Sequence, residues 1–256
     1  MNIKTTKMMD DAVQHEFELE VVSEYVPAVL WTPTASTSPK ALIALGHGGA
    51  QHKTSDNIVQ RAVHYATTFQ WASLAIDAPG HGERITPEEA ERNRVQTQAR
   101  LEGKSHVPAL SAGEKIRYLE TLAAQAVPEW QAAITTVLES DFVNADIPLA
   151  YWGMSMGSNI GIPLLAADIR FSCAVLGLAH LHPDHASLKL AAQQINIPLR
   201  FVFQWDDIIR DRDYGLALFD AFGSQQKSMH INPGGHTDVP AFEVQSWDVF
   251  VAEHIC

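Results

Sequence analysis

The sequence has few cysteines, and it has no long run of apolar residues. Its two cysteines, Cys173 and Cys256, form neither a disulfide framework nor a CxxC pair, which favours a reducing compartment. No apolar run reaches the ~18 residues of a membrane helix. Five acidic residues lie between positions 10 and 20, where a secretory signal would be apolar. These absences predict a cytoplasmic protein.

Basic residues are also scarce. The chain has 18 Lys and Arg against 30 Asp and Glu, a formal net charge of −12. A field of that sign repels nucleic-acid phosphates and anionic lipid surfaces. The sequence also lacks the glycine-rich motifs that cradle phosphates, G-x-G-x-x-G and G-x-x-x-x-G-K-[ST]. Neither nucleic acid nor a membrane is therefore expected as a partner.

What the sequence does have is a regular alternation of short apolar runs with longer helical stretches. The 256 residues, 46% of them hydrophobic, are enough for one large core. Strands that alternate with helices predict a mostly parallel sheet with helices on both faces, and the first two strands, with no helix between them, predict an antiparallel hairpin. The predicted strands are 17–22, 28–31, 41–45, 71–76, 147–152, 171–178, 199–203 and 227–231.

One segment, 83–128, breaks this alternation because it has no predicted strand and is longer than one crossover helix needs. Two capping boxes, which begin at Thr86 and Ser111, predict the starts of two helices within it. Pro128 is predicted to start or kink a third helical stretch, 129–139. The segment is therefore interpreted as a helical insertion.

The strongest motif is Gly153-Met154-Ser155-Met156-Gly157, which follows a predicted strand and precedes a helical stretch. G-x-S-x-G in a strand-turn-helix context is typical of a nucleophile elbow. The turn is so tight that the serine backbone is strained and the glycine positions have no room for a side chain. The motif predicts Ser155 as a nucleophile at the carboxyl edge of the sheet.

A serine hydroxyl is a poor nucleophile and needs a base that a carboxylate orients. His236 follows the last predicted strand, and Asp206 and Asp207 follow the strand before it. Both groups should therefore lie at the same sheet edge as Ser155. Neighbouring residues that leave a strand tend to point in opposite directions, so only one aspartate is expected to reach His236.

Acyl transfer also needs hydrogen-bond donors for the developing oxyanion. The predicted strand 41–45 ends in Gly46-His47-Gly48-Gly49-Ala50, a glycine turn with free backbone N–H groups. The predicted donors are the N–H groups of Gly49 and Met156.

With these motifs the chain resembles the α/β-hydrolase superfamily, most closely its serine-esterase and dienelactone-hydrolase-like branch. The turn at 77–82 is similar to the D-x-P-G-x-G turn of that superfamily. The resemblance implies one α/β-hydrolase domain over 1–256, with an eight-stranded sheet and a helical cap built from about 83–128. It also implies a small-molecule ester substrate, an acyl-enzyme intermediate, and neither cofactor nor metal.

The resemblance also bears on which aspartate is the triad acid. The family usually places the acid nine residues after the position of Pro198, which is Asp207. The common D-x-x-[VI] pattern instead fits Asp206, through Ile209. Strand length determines where the chain emerges above the sheet, so we favour Asp207 and keep Asp206 as the alternative.

Two departures from the family matter. Dienelactone hydrolases proper have cysteine where Ser155 stands, so their substrate should not be transferred to this chain. The usual apolar residues after the acid are partly replaced by Arg210 and Asp211. His81, within the D-x-P-G-x-G turn, is expected to be structural.

A competing motif is the cluster at 180–185, which matches H-x-H-x-D-H, the zinc signature of the metallo-β-lactamase superfamily. A zinc-dependent hydrolase would use His180, His182, Asp184 and His185. The motif comes late in the chain and leaves the elbow at Ser155 unexplained, so a loop that lines the pocket is the preferred interpretation.

The predicted function is hydrolysis of a carboxylic ester, a thioester or a lactone through an acyl-serine intermediate. The alternatives are this zinc enzyme and a non-catalytic ligand-binding protein of the same fold.

Overall fold

The computed structural model describes residues 1–9, 11–35 and 38–255; Cys256 lies outside them. Within these ranges the chain forms one nine-stranded sheet in the order β1-β2-β3-β5-β4-β6-β7-β8-β9. The strands are β1 (Asn2–Met9), β2 (Ala12–Val21), β3 (Glu24–Pro33), β4 (Leu42–Gly46), β5 (Ala72–Ile76), β6 (Leu149–Met154), β7 (Phe171–Gly177), β8 (Leu199–Gln204) and β9 (Lys227–Asn232). The helices are α1 (Asp56–Phe69), α2 (Pro87–Leu101), α3 (Ala112–Leu138), α4 (Met156–Ala167), α5 (Ala186–Gln194), α6 (Arg212–Ala221) and α7 (Ala241–His254).

All eight predicted strands are present, and the count of eight is corrected to nine. Sequence analysis missed β1, whose side chains are mostly exposed. An outermost strand has a neighbour on one side only and needs no buried face, so β1 lacks an apolar pattern. The predicted hairpin is confirmed, because β2 pairs antiparallel with β3, and β1 pairs antiparallel with β2.

The strands β4 to β9 are parallel, so their carboxyl ends meet at one edge of the sheet. The chain runs from β4 to β5 on one side and then to β6 on the other. Such a reversal leaves a crevice beyond the carboxyl ends of the strands, which is where open α/β sheets bind ligands.

Helices cover both faces of the sheet, as predicted. Neighbouring residues of a strand point to opposite faces, and β6 shows this directly. Tyr151 packs with the cluster that includes Trp130 of α3 and Ile160 of α4. Trp152 belongs to the cluster on the other face, which includes Tyr65 of α1 and Trp247 of α7.

The first helices of the insertion begin where the sequence predicts, but its last part differs from the prediction. Both capping boxes are formed, at Thr86 and at Ser111. Pro128, however, lies inside the single helix α3, so it does not start a third helix, and the predicted helical stretch 129–139 is present as the continuation of α3 to Leu138. The missing N–H removes one hydrogen bond, while the buried stripe continues through the proline from Leu122 to Ile134. None of the helices in the described part of the chain is long and apolar enough to cross a membrane.

Candidate active site

Ser155 occupies the sharp turn between β6 and α4. Its backbone angles are φ 57° and ψ −111°, and its N–H donates to the Gly177 carbonyl oxygen at 2.9 Å. A positive φ in a residue other than glycine costs on the order of 1–3 kcal/mol, and such strain persists only where the surrounding structure enforces it. The turn thus has the strained geometry that the motif predicts.

Packing explains why glycine flanks the serine on both sides. A Cβ atom at Gly157 would lie 2.3 Å from the Gly46 carbonyl oxygen at the end of β4. One at Gly153 would lie 2.8 Å from Cε1 of Tyr151. Real side chains do not approach so closely, so the glycines allow α4 to begin directly against β4.

Three of the predicted site residues meet at this turn. His236 Nε2 lies 3.0 Å from Ser155 Oγ, and His236 Nδ1 lies 2.5 Å from Asp207 Oδ2. The Asp207 side chain is fully buried and that of His236 is 9% exposed. The other carboxylate oxygen of Asp207 accepts the Ile209 N–H at 2.9 Å. A buried carboxylate therefore contacts the imidazole on the side away from the serine.

Asp206 points elsewhere, as expected for the neighbour of a residue that leaves a strand. It is exposed, and its Oδ2 accepts the Gly234 N–H at 2.9 Å. Its own N–H donates to the Gly234 carbonyl oxygen at 3.1 Å. Asp206 thus ties the loop after β8 to the loop after β9 that carries His236.

The two predicted oxyanion donors come from different turns: Gly49 follows β4, and Met156 directly follows Ser155. Met156 is the first residue of α4, and the first N–H groups of a helix have no partner within it. Gly49 lies in the turn after β4 and is exposed. The N–H of the preceding residue, Gly48, already donates to Gln51 Oε1 at 2.9 Å.

A buried ion cluster lies between the turn after β4 and the turn after β5. Asp77, which is completely buried, accepts the Lys53 N–H at 2.8 Å, Lys53 Nζ at 3.1 Å and the Glu83 N–H at 2.9 Å. Lys53 Nζ also pairs with Glu83. Burial lowers the pKa of Lys53, but the charges of Asp77 and Glu83 outweigh it and the pKa is raised. The cluster holds the two turns together.

Two histidines complete this support. His47 Nδ1 donates to the Gly48 carbonyl oxygen at 2.8 Å, and its Nε2 accepts the Ala78 N–H at 3.1 Å. Burial lowers the pKa of His47 to about 4, so the ring is neutral. His81 Nδ1 lies 3.0 Å from the carbonyl oxygen of Pro79 in its own turn. This contact agrees with the structural role expected for His81.

The H-x-H-x-D-H cluster does not form a ligand set. His180 Nδ1 accepts the Asp211 N–H at 3.0 Å, and His182 Nδ1 accepts the Asp184 N–H at 3.2 Å. His185 is buried at the start of α5. Among residues 1–9, 11–35 and 38–255, no three His, Cys, Asp or Glu side chains are arranged to hold a metal ion. The zinc alternative therefore lacks ligands in this arrangement.

Sequence analysis noted Arg210 only as a departure from the family and assigned it no role. Its Nη2 donates to Ser155 Oγ at 3.2 Å, its Nε to the Leu178 carbonyl oxygen at 2.8 Å, and its Nη1 to the Ile209 carbonyl oxygen at 3.3 Å. Burial lowers the pKa of this guanidinium and the charge of Asp207 raises it; the net direction is down. The sequence signal for Arg210 was that a positively charged residue occupies a position where the family usually has an apolar one.

Lys115 was missed altogether. It lies on α3, and burial, followed by the charges of Arg210 and Arg100, lowers its pKa to about 8. Burial also lowers the pKa of His180 to about 3, and Arg210 and Lys115 contribute to the shift. Lys115, Arg210 and His180 thus lie within range of one another's charges. Nothing in the sequence indicates this proximity, because Lys115 and Arg210 are far apart in the chain.

Comparison with known proteins places the chain in a family. A cold-adapted esterase from an Arctic intertidal metagenomic library, solved with bound polyethylene glycol, is 30% identical over the full length of both chains, with a TM-score of 0.81. Acetyl xylan esterase 1 from Thermoanaerobacterium sp. is 14% identical, with a TM-score of 0.70, over 98% of this chain and 88% of its own. The dienelactone hydrolase from Anabaena variabilis is 15% identical, with a TM-score of 0.64, over 96% of this chain and all of its own.

No protein-family model and no curated protein sequence matches the chain. The structural matches nevertheless show what the chain is. It belongs to the esterases of the α/β-hydrolase superfamily.

Proposed function

We propose that this protein hydrolyses carboxylic esters through an acyl-serine intermediate, with Ser155 as the nucleophile, His236 as the base and Asp207 as the acid of the triad. The observation that carries the proposal is the continuous contact from Ser155 Oγ through the imidazole to the buried carboxylate of Asp207. The full-length likeness to an esterase supports ester hydrolysis in general.

In the first half-reaction Ser155 Oγ attacks the ester carbonyl carbon while His236 Nε2 takes the hydroxyl proton. The negative charge that develops on the carbonyl oxygen is stabilised by the N–H groups of Gly49 and Met156. Asp207 holds the Nδ1–H tautomer of the imidazole and stabilises the imidazolium. The intermediate collapses when His236 returns the proton to the departing alcohol, which leaves the acyl-serine.

In the second half-reaction water replaces the alcohol. His236 removes a proton from the water as its oxygen attacks the acyl carbon, and the same proton then passes to Ser155 Oγ as the carboxylic acid leaves. A thioester or a lactone would follow the same steps, because each joins an acyl carbonyl to a sulfur or oxygen leaving group.

We further propose that segment 83–128 caps the site. Lys115 of this segment is close enough to Arg210 for their charges to interact. Near the end of α2, a Cβ atom at Gly103 would lie 3.5 Å from Cδ1 of Ile208, in the loop after β8. The insertion therefore contacts the loop that carries Asp207, which supports a role as one wall of the acyl pocket.

Ser155→Ala tests the mechanism. We expect hydrolysis of a panel of p-nitrophenyl esters of increasing chain length to fall on the order of 10⁴-fold or more, because nucleophile and base act as a unit. Circular dichroism should show that the variant is folded. Turnover near that of the unmodified protein in folded Ser155→Ala would refute the serine mechanism.

A fluorophosphonate probe separates the proposal from a non-catalytic ligand-binding protein. We expect the native protein to be labelled at Ser155, since an activated serine attacks phosphorus, and we expect no labelling after heat denaturation. Prolonged chelation should leave the rate unchanged. Loss of activity that added zinc restores would instead support the alternative based on the cluster at 180–185.

A further inference from the structure

Two cationic side chains, Arg210 at Ser155 and Lys115 within range of the charge of Arg210, have no ion-pair partner in the described part of the chain, and the buried carboxylate of Asp207 acts on both through its charge alone. Neither Arg210 nor Lys115 forms an ion pair there, although four aspartates, Asp206, Asp207, Asp211 and Asp213, lie within four residues of Arg210. Asp207 contacts the imidazole, Asp206 accepts a backbone N–H from the loop after β9, and Asp211 caps α6. Three of these four carboxylates are thus engaged by another partner.

The guanidinium of Arg210 also keeps unused donors. It has five N–H bonds, and three of them are directed at two carbonyl oxygens and at Ser155 Oγ. These acceptors are neutral, so they orient the group without balancing its charge. Withdrawing a cation from water without an opposite charge is unfavourable, and an incoming anion would relieve that penalty.

His180 adds a neutral donor to the same surroundings. Its Nδ1 accepts a backbone N–H, so the proton of the neutral ring is on Nε2. Arg210, which contacts Ser155, therefore has near it an N–H donor from His180 and the ammonium group of Lys115. The protein as a whole carries a net charge of −12, so a local positive charge at the nucleophile has the sign that attracts anions which the rest of the surface repels.

We propose that the natural substrate is an ester that carries a carboxylate near the scissile carbonyl, and that Arg210 and Lys115 bind this carboxylate. This inference rests on the proposed esterase function. The attacked carbon becomes bonded to Ser155 Oγ, and Arg210 Nη2 lies 3.2 Å from that oxygen. A carboxylate that contacts the guanidinium must therefore be only a few bonds from the carbonyl, as in half-esters of short dicarboxylic acids.

Two matched substrate pairs test the proposal and locate the carboxylate. Monoethyl succinate, with the charge on the acyl side, is compared with ethyl 4-methylpentanoate, in which an isopropyl group replaces the carboxylate. O-acetylglycolate, with the charge on the alcohol side, is compared with isobutyl acetate. Acid release is followed by pH-stat titration. We expect kcat/KM for the anionic ester to be at least about tenfold higher in one pair, because a hydrogen bond to a charged group has about that effect. Faster hydrolysis of the neutral ester in both pairs would overturn the proposal.

Variants connect the preference to the cationic group. In Lys115→Met we expect the ratio of anionic to neutral kcat/KM to fall roughly tenfold, mainly through KM, since one charged contact is lost. Lys104→Met removes the same charge from the same insertion, at an exposed lysine that pairs with Glu102. This control should keep the ratio. Equal losses in both variants would indicate that any positive charge on the insertion attracts the anionic ester. This result would overturn the assignment to Lys115.

A binding measurement distinguishes failure of this inference from failure of the proposed esterase function. We expect isothermal titration of succinate into Ser155→Ala to show salt-sensitive binding that the added Lys115→Met change weakens. If neutral esters are hydrolysed through Ser155 but neither anionic ester is preferred and succinate does not bind, this inference fails and the esterase proposal stands. If succinate binds but no ester is hydrolysed, the esterase proposal fails and the carboxylate site remains.

Discussion

Asp206 and Asp207 are adjacent in the sequence and chemically identical, so replacing each by asparagine is a closely matched test of the triad. In Asp207→Asn the carboxylate that lies 2.5 Å from His236 Nδ1 becomes an amide. The amide N–H₂ group would donate to Nδ1 and shift the imidazole proton to Nε2. The nitrogen that faces Ser155 could then no longer accept the hydroxyl proton.

The expected loss in kcat is up to about 10⁴-fold, the effect of the wrong tautomer in such triads, which corresponds to roughly 5.5 kcal/mol in activation free energy. Asp206 contributes one exposed hydrogen bond from the Gly234 N–H. A hydrogen bond to a charged group is worth about 1.5–3 kcal/mol, but this one is exposed and the amide oxygen of asparagine can accept the same N–H. Asp206→Asn should therefore change kcat only a few-fold.

The assay is steady-state hydrolysis of one p-nitrophenyl ester by the two variants and the unmodified protein, at the same pH. Melting temperatures measured in parallel show whether either variant is unfolded. A large loss confined to Asp206→Asn, or equal losses in two folded variants, would refute the assignment of Asp207 as the triad acid.

Three further predictions concern packing, charge and the cap. Gly157→Ala should destabilise the protein by about 1–3 kcal/mol in urea unfolding, because its Cβ would lie 2.3 Å from the Gly46 carbonyl oxygen; an unchanged urea midpoint would contradict the packing argument. The pKa of Lys115 is about 8, so its positive charge is present at pH 7 and largely lost by pH 9; the preference for an anionic ester should fall across that interval, and a constant ratio would contradict a charged role for Lys115. Deleting residues 88–107 should alter chain-length preference more than the melting temperature, because α2 has no buried residue; an unchanged preference across the ester panel would show that the segment is not a cap.

The sequence by itself determined the features that depend on neighbouring residues. Apolar runs predicted eight of the nine strands, because a strand buried on both faces has few polar positions. The glycines around Ser155 predicted the elbow, since the steric demand of a tight turn is local. The edge strand β1 escaped detection because it has little buried surface.

The tertiary structure decided which distant side chains meet. Which aspartate contacts His236 depends on how the loop after β8 turns, and the sequence signals for that direction conflicted, because strand length favoured Asp207 and the D-x-x-[VI] pattern fitted Asp206. The approach of Arg210 to Ser155 joins residues 55 positions apart, and Lys115 of α3 comes within range of the charge of Arg210 although the two are distant in the sequence. Local steric demands and hydrophobic periodicity depend on consecutive residues, whereas these contacts depend on strand order and on how loops leave the sheet.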